Sequence, residues 1–177
     1  LYDMQAAGGT ALTDESVEGS PVADRRRFKV VFVVVAAALY AVDVVTKHLA
    51  VEHLTGQPDK PLIGDLLQLH LTRNPGAAFS TGTAFTEVLT GVAIVAVGVV
   101  LWLSRRLGST AWAVALGLLL AGVGGNLTDR MLREPGPFRG HVIDFLMLPN
   151  WPIFNIADMC INAAAGLILI QAFRGIK

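Results

Sequence analysis

Four long apolar runs constrain the fold of this 177-residue chain more than any other feature of its sequence. A helix needs about 20 mostly apolar residues to cross the hydrocarbon core of a bilayer, and each run is close to that length. Charged residues make up only 16% of the chain, whereas soluble domains usually carry about 25%. The sequence therefore predicts an all-α membrane protein with four transmembrane helices. The predicted spans cover residues 28–49, 85–103, 109–127 and 151–173.

The distribution of charge divides the chain in two and predicts its orientation. Residues 1–24 are polar, acidic and without periodicity, so we expect a disordered cytoplasmic tail before a membrane domain of residues 25–177. Lys and Arg gather at the cytoplasmic ends of transmembrane helices. Three basic clusters fall on one side of a four-span topology, which places both termini in the cytoplasm. The clusters are Arg25, Arg26, Arg27 and Lys29; Arg105 and Arg106; and Arg174 and Lys177.

The remaining charges and the single cysteine give no sign of a nucleic-acid-binding protein or of a metal site. Arg130, Arg133 and Arg139 fall on the other side of the membrane, against the pattern, which predicts a local role for at least one of them. The formal net charge is zero, so no global basic signal predicts a nucleic-acid partner. Cys160 has no internal disulfide partner, and no Cys/His spacing is typical of a metal site. No serine stands in a Gly-x-Ser-x-Gly setting, so the sequence does not favour nucleophilic catalysis by a serine.

The first outer connection, about residues 50–84, carries a β-strand pattern. Leucines alternate with polar residues between Asp65 and Arg73, as in a strand with one apolar face. The sequence Asn74-Pro75-Gly76 then predicts a turn. We expect a small extracytoplasmic β-containing loop, or cradle, between the first two helices. Its apolar face could lie on the membrane surface, hold an extended peptide or pack on its own loop.

Two aspartates stand where a carboxylate is costly. Asp158 is expected about two turns inside the fourth span, and Asp144 lies just outside that span. A carboxylate in hydrocarbon costs roughly 2.5–3.5 kcal/mol on insertion scales, so such an acid is a candidate functional residue. If the two side chains meet, they form a carboxyl pair that shares a proton and activates water. The pattern therefore indicates Asp144 and Asp158 as candidate catalytic residues.

Asparagines accompany Asp158 on its predicted helix face. Asn155, Asp158 and Asn162 occur at positions i, i+3 and i+7 and share one face. A polar stripe on an apolar span must face the interior of the bundle or a water-filled cavity. The alternative is a structural hydrogen-bond network between helices.

Two other polar groups lie at the ends of spans. Asn126 and Asp129 share a face if the third helix continues past its apolar run. Arg130 has a planar guanidinium suited to a peptide carbonyl or a carboxylate, although Asp129 and Arg130 could instead stabilise the end of the helix. Asp43 and Lys47, at i and i+4, predict a structural ion pair at the end of the first span.

Two other classes of protein also use polar residues within a membrane. A proton-coupled transporter relays protons through intramembrane acids and needs polar residues along the full depth of its spans. The second span here is almost wholly apolar after Glu87. A non-catalytic scaffold would use the polar stripe to join helices and would tolerate Asp158→Asn, because asparagine still forms hydrogen bonds.

Five short motifs follow one another along this four-span pattern. They are Asp43-Val44-Val45-Thr46-Lys47, Asn74-Pro75-Gly76-Ala77-Ala78-Phe79-Ser80, Gly125-Asn126-Leu127-Thr128-Asp129-Arg130, Val142-Ile143-Asp144-Phe145 and Phe154-Asn155-Ile156-Ala157-Asp158. Together they make the chain resemble the lipoprotein signal peptidases (signal peptidase II), a family of bacterial membrane aspartic peptidases. The resemblance covers nearly the whole chain after residue 25.

The resemblance implies an endopeptidase that removes signal peptides from prolipoproteins whose cysteine carries a diacylglyceryl group, cutting just before that cysteine. It implies a multi-pass protein of the bacterial cytoplasmic membrane, in contact with its lipids, with an active site near the outer face. It implies no metal or organic cofactor, and inhibition by the cyclic peptide globomycin at the substrate position. We expect a monomer. The implied catalytic residues are Asp144 and Asp158, supported by Asn74, Asn126, Asp129, Arg130 and Asn155.

Overall fold

A computed structural model of the chain describes residues 21–76 and 84–175. Most of the predicted tail, residues 1–20, lies outside the described residues, as does the second half of the Asn74–Ser80 motif. Within the described ranges, four helices are long and apolar enough to cross a membrane, and three strands form one small sheet. The elements in chain order are α1 (Pro21–Leu54), β1 (Lys60–Ile63), β2 (Leu67–Asn74), α2 (Ala84–Leu103), α3 (Thr110–Leu132), β3 (Val142–Met147) and α4 (Ile156–Phe173), with a 3-10 turn at Ser104–Arg106 between α2 and α3.

The four-helix prediction and the strand predicted after Asp65 are confirmed. Large apolar side chains on the outer faces of the helices are exposed, for example Val34 at 58% and Val95 at 66%. Soluble monomers rarely expose contiguous apolar surface on this scale, whereas a helix in a bilayer presents it to lipid. The chain is therefore a multi-pass membrane protein.

Helix α3 is the centre of the bundle and packs against α1, α2 and α4. Two glycines on α3 allow the close approach. A Cβ on Gly122 would lie 2.5 Å from the carbonyl oxygen of Ala157 on α4, and a Cβ on Gly125 would collide with the carboxylate of Asp43 on α1. Small residues at helix crossings let backbones approach in this way, which brings the polar ends of three helices together.

The sheet differs from the predicted cradle because it takes a strand from a second connection. Strand β2 lies in the middle, antiparallel to β1 on one side and to β3, from the link between α3 and α4, on the other. The register pairs Thr72 with Asp144 and Asn74 with Val142. The sheet therefore joins the connections that precede α2 and α4, and it delivers Asn74 and Asp144 to the same place.

Helix α4 begins later than expected. Leu146 on β3 forms an isolated bridge with Phe154, so the chain before Asn155 is extended and the helix starts only at Ile156. The expectation that Asp158 lies about two turns inside the fourth span is wrong. Asp158 is in the first turn of α4 and so lies at the same end of the bundle as the sheet.

Candidate active site

Asp144 is held at the centre of the site by two asparagine amides. Its side chain is 2% exposed, and it projects from β3 next to the end of β2. The amide of Asn74 donates to Asp144 Oδ2 at 3.0 Å, and the amide of Asn155 donates to Oδ1 at 2.6 Å. Both carboxylate oxygens therefore have a donor from a different part of the chain.

Asp158 is positioned by the start of α4. Asn155 is the N-cap residue, and its side-chain carbonyl accepts from the backbone N–H of Asp158 at 2.9 Å. In return, the backbone N–H of Asn155 donates to Asp158 Oδ2 at 3.2 Å. This reciprocal capping box satisfies two helix N–H groups at once. It leaves Asp158 Oδ1 for the amide of Asn126 on α3, which donates to it at 2.9 Å.

The two aspartates are linked by a pair of asparagines. Asn155 donates to Asp144 and, at 3.2 Å, lies within hydrogen-bond distance of the side-chain carbonyl of Asn126. Asn126 in turn donates to Asp158. The site is therefore a continuous chain from Asp144 through Asn155 and Asn126 to Asp158, built from β3, α3 and the first turn of α4.

Lys47 lies behind this chain, in a buried ion cluster that is larger than a pair. Its ammonium is 2.8 Å from Asp43 Oδ2 and 2.9 Å from Asp129 Oδ2, and it donates to the side-chain carbonyl of Asn126 at 2.9 Å. The ammonium therefore faces two carboxylates and one amide carbonyl, and the bond to Asn126 is its hydrogen bond of good geometry. Because the ammonium faces the carbonyl of Asn126, the amide of Asn126 points toward Asp158.

The two carboxylates of this cluster also anchor the backbone beside each candidate catalytic aspartate. Asp43 Oδ1 accepts from the N–H of Ala157 at 2.8 Å, the residue before Asp158. Asp129 Oδ2 accepts from the N–H of Ile143 at 3.2 Å, the residue before Asp144. The predicted ion pair and the predicted end of α3 therefore belong to one buried support beneath the site.

Arg130 lies beside the site with an unused donor. Its Nη1 is buried and has no hydrogen-bond partner within residues 21–76 and 84–175. A Cβ built on Gly76, in the turn after β2, would lie 3.7 Å from Nη1, which places the guanidinium next to that turn. It also lies within electrostatic range of Asp129, Asp144 and Asp158. A free donor beside two carboxyls can hold a carbonyl oxygen.

Burial sets the protonation of Asp144. Removal from solvent is the main cause that raises the pKa of its carboxyl from 3.8 to about 6. The neighbouring charge of Asp158 adds to the rise, while the hydrogen bonds from Asn74 and Asn155 and the charge of Lys47 oppose it. A buried carboxyl disfavours its charged form, and a like charge nearby disfavours it further. Asp144 therefore keeps its proton to a higher pH than an exposed aspartate does.

The structure brings together all nine residues singled out for the site and its support. Asn162, one turn further along α4 than Asp158, is exposed. Sequence reasoning missed Thr86 and Thr90, which are buried on α2 and lie one turn apart. Thr86 donates to the carbonyl of Pro75, and Thr90 donates to the carbonyl of Phe138 at 2.8 Å. These two bonds fasten α2 to the segments that carry Pro75 and Phe138. The sequence signal for them was a pair of threonines at i and i+4 in an apolar span.

Local roles also account for two of the three arginines that break the charge pattern. Arg133 pairs with Asp129, and Arg139 pairs with Glu87. In the part of the chain that the structure describes, no group of three or more His, Cys, Asp or Glu side chains is placed to hold a metal ion.

Fold and site together define a multi-pass membrane protein with a buried, polar carboxyl site at one end of its helical bundle. Two solved structures described as bacterial membrane enzymes, determined by the in meso method at 2.3 and 1.9 Å, have this fold. Both are 26% identical to the chain, with TM-scores of 0.69 and 0.72. The first match covers 81% of this chain and 87% of the other, and the second covers 80% and 91%.

The family model of signal peptidase (SPase) II matches residues 35–174. A lipoprotein signal peptidase of Mycobacterium avium is 50% identical over 80% of this chain and 78% of its own length. That of Streptomyces griseus is 43% identical over 96% of this chain and 85% of its own length. The chain belongs to the signal peptidase II family, a family of proteases.

Proposed function

We propose that the chain is an aspartic endopeptidase that removes signal peptides from prolipoproteins, cutting just before a cysteine that carries a diacylglyceryl group. The observation that carries this proposal is the chain of hydrogen bonds that joins Asp144 to Asp158 through two asparagines. Family membership supplies the substrate class, and the geometry supplies two carboxyls in a shared polar site.

The two aspartates act as one acid–base unit. Two carboxyls in a shared site do not both ionise cheaply, so one keeps a proton near neutral pH. The ionised carboxyl takes a proton from a water molecule, whose oxygen bonds to the scissile carbonyl carbon. The protonated carboxyl donates to the carbonyl oxygen. When the C–N bond breaks, a carboxyl proton passes to the leaving amine. The pair titrates as a unit, so the two roles belong to the pair.

The surrounding residues hold this unit and its substrate. Asn74, Asn126 and Asn155 fix the carboxyl orientations that the reaction needs, because a catalytic group gains from being held in place before the reaction. Arg130 offers Nη1, which has no partner among the described residues, to a backbone carbonyl of the substrate or to the developing oxyanion, where a preorganised donor stabilises the transition state. Asp43, Lys47 and Asp129 support the backbone beneath.

The position of the site suits a lipid-modified substrate. Asp158 is in the first turn of a membrane helix and Asp144 is on the sheet just beyond it. The acyl chains of a substrate would stay in the bilayer while its peptide reaches the carboxyls. Basic clusters lie at the opposite end of the bundle, and by the positive-inside rule they favour cytoplasmic termini and a site near the outer face.

We also propose that the protein acts as a monomer and without a cofactor. A cyclic peptide inhibitor such as globomycin would occupy the peptide position beside Asp144, Asp158 and Arg130. A proton relay is less well supported, because the described carboxyl network lies at one end of the bundle and does not run through its depth.

A gel-shift cleavage assay tests the proposal. Purified protein is incubated with a diacylglyceryl-modified prolipoprotein, beside the variants Asp144→Asn and Asp158→Asn. We expect each variant to lose about 10²–10⁴-fold or more of the activity, as for loss of a general acid or base. Asp65→Asn, an exposed aspartate on the hairpin before β2, is the matched control and should cleave like the wild type. Substantial cleavage by either dyad variant would refute the assignment.

A further inference from the structure

A second polar site lies at the far end of the bundle from the aspartates. A cavity of about 500 Å³ opens between the start of α1 and the link from α2 to α3. Along α1, Lys29 on its wall and Lys47 in the catalytic support are separated by about 27 Å at 1.5 Å per residue. That distance is close to the roughly 30 Å hydrocarbon core of a bilayer. The cavity therefore lies at the depth of the lipid headgroups on the opposite membrane face.

The cavity is strongly basic, and its charges come from two separate parts of the chain. Arg25 and Lys29 line it from α1, and Arg105 and Arg106 line it from the 3-10 turn after α2, with Asp24 as the one acid. All four cations are exposed. None forms an ion pair with another residue of the described ranges. Four cations that face one cavity with one acid between them leave room for an anionic ligand.

An adjoining apolar cavity indicates what kind of anion fits. A pocket of about 170 Å³ shares Arg106, Leu107 and Gly108 with the basic cavity. Its other walls are Leu103, Trp112 and Leu116. A free phosphate would use only the basic half, whereas an amphiphile with an anionic head and an acyl chain would fill both.

An aromatic side chain at the same level supports this placement. The guanidinium of Arg106 lies over the ring of Trp102, 4.8 Å from its centroid, and Trp102 is 51% exposed. Tryptophans are enriched at the boundary between headgroups and hydrocarbon, and a cation over the ring is attracted to its face. This contact holds Arg106 at the border between the basic and apolar cavities.

We propose that these two cavities form a binding site for an anionic phospholipid, with the phosphate between Lys29 and Arg105 and the upper part of an acyl chain against Leu107 and Trp112. The site is independent of the catalytic assignment, since no residue in it belongs to the aspartate network. Each Lys or Arg near an anionic membrane surface contributes about 1 kcal/mol of attraction, so two of them correspond to roughly a 30-fold change in affinity.

Lipid-dependent thermal unfolding of the full chain tests the site. The protein is titrated in neutral detergent with dioleoyl phosphatidylglycerol, dioleoyl phosphatidylcholine or soluble glycerol phosphate. We expect only phosphatidylglycerol to raise the unfolding temperature in a saturable way. The variant Lys29→Gln/Arg105→Gln should need roughly 30-fold more of it. This variant leaves the contact between Arg106 and Trp102 intact.

The matched control is Arg26→Gln/Arg27→Gln, which also removes two positive charges, both from the start of α1, but touches neither cavity. It should respond to phosphatidylglycerol like the wild type. An equal loss in the control would show general attraction to negative lipid and overturn the site. Equal stabilisation by glycerol phosphate would assign a free-anion site and overturn the lipid. Equal stabilisation by phosphatidylcholine would show that the cations do not select the lipid, and it would overturn the anionic site.

Discussion

Asn155 and Asp144 are joined by a 2.6 Å hydrogen bond from the asparagine amide to the carboxylate, and the same asparagine caps the helix that carries Asp158. A single side chain therefore determines where one aspartate points and where the helix of the other begins. Its two functions use different atoms, because the amide nitrogen serves Asp144 and the carbonyl oxygen serves the cap. They can be separated by substitution.

Substitution of Asn155 should affect stability and activity differently. Asn155→Ala removes both functions, and we expect the lost cap to lower the free energy of unfolding by about 1 kcal/mol, with a further loss of about 1–3 kcal/mol from the buried acceptor on Asp144, together with most of the cleavage activity. Asn155→Ser keeps a hydroxyl that caps a helix well, but it lacks the amide that holds Asp144. Serine should recover the part of the stability that the cap contributes, about 1 kcal/mol, and leave cleavage low. Full activity in Asn155→Ser would show that the amide is dispensable.

Removal of Lys47 should be strongly destabilising. Lys47→Met would leave Asp43 and Asp129 buried without their cation, and breaking a buried ion pair from one side costs about 3–5 kcal/mol. Thermal unfolding in detergent should show a fall of many degrees. The triple variant Lys47→Met, Asp43→Asn, Asp129→Asn removes the stranded charges and should recover a large part of the loss. An unfolding temperature unchanged by Lys47→Met alone would contradict the buried cluster.

The stability contributed by Asp144 should depend on pH in a defined direction. Its pKa in the folded protein, about 6, lies above the ordinary value of 3.8, so the folded state binds this proton more tightly than the unfolded state. The contribution is therefore fully present below about pH 4 and is lost as the pH rises through about 6, and that difference amounts to about 3 kcal/mol.

Asp144→Asn removes this titration. Relative to the wild type, the stability of the variant should rise by up to about 3 kcal/mol between pH 4 and pH 7, whatever constant offset the lost carboxylate hydrogen bonds add. Unfolding temperatures of both proteins across this range measure the difference. Parallel curves would show that burial does not perturb Asp144.

The close approach of α1 and α3 should depend on Gly125. A Cβ at this position collides with the carboxylate of Asp43, and Gly125→Ala should therefore cost about 1–3 kcal/mol, as overpacking of a tight interior does, and reduce cleavage. Gly98→Ala on α2 is the matched control, because a Cβ there meets nothing within 4 Å. It should keep or slightly raise stability through helix propensity. A harmless Gly125→Ala would contradict the packing of these helices.

Local patterns in the sequence were sufficient for much of this protein. The four spans follow from the length of their apolar runs, and the strand predicted between Asp65 and Arg73 follows from leucines that alternate with polar residues. The pairing of Asp43 with Lys47 follows from their i, i+4 spacing. Most candidate site residues were also visible, since a carboxylate or amide in or beside an apolar run has few inexpensive structural explanations. Asn74 was indicated only by the resemblance to the family.

Only the tertiary structure decided how these pieces meet. The bridge between Leu146 and Phe154 holds the chain before Asn155 extended against β3, and no pattern within either segment encodes this pairing. The enlargement of the predicted ion pair by Asp129 likewise depends on packing between elements far apart in the chain. Buried polar groups must find partners wherever the fold brings them, so their pairing is a property of the packed bundle and not of any single segment.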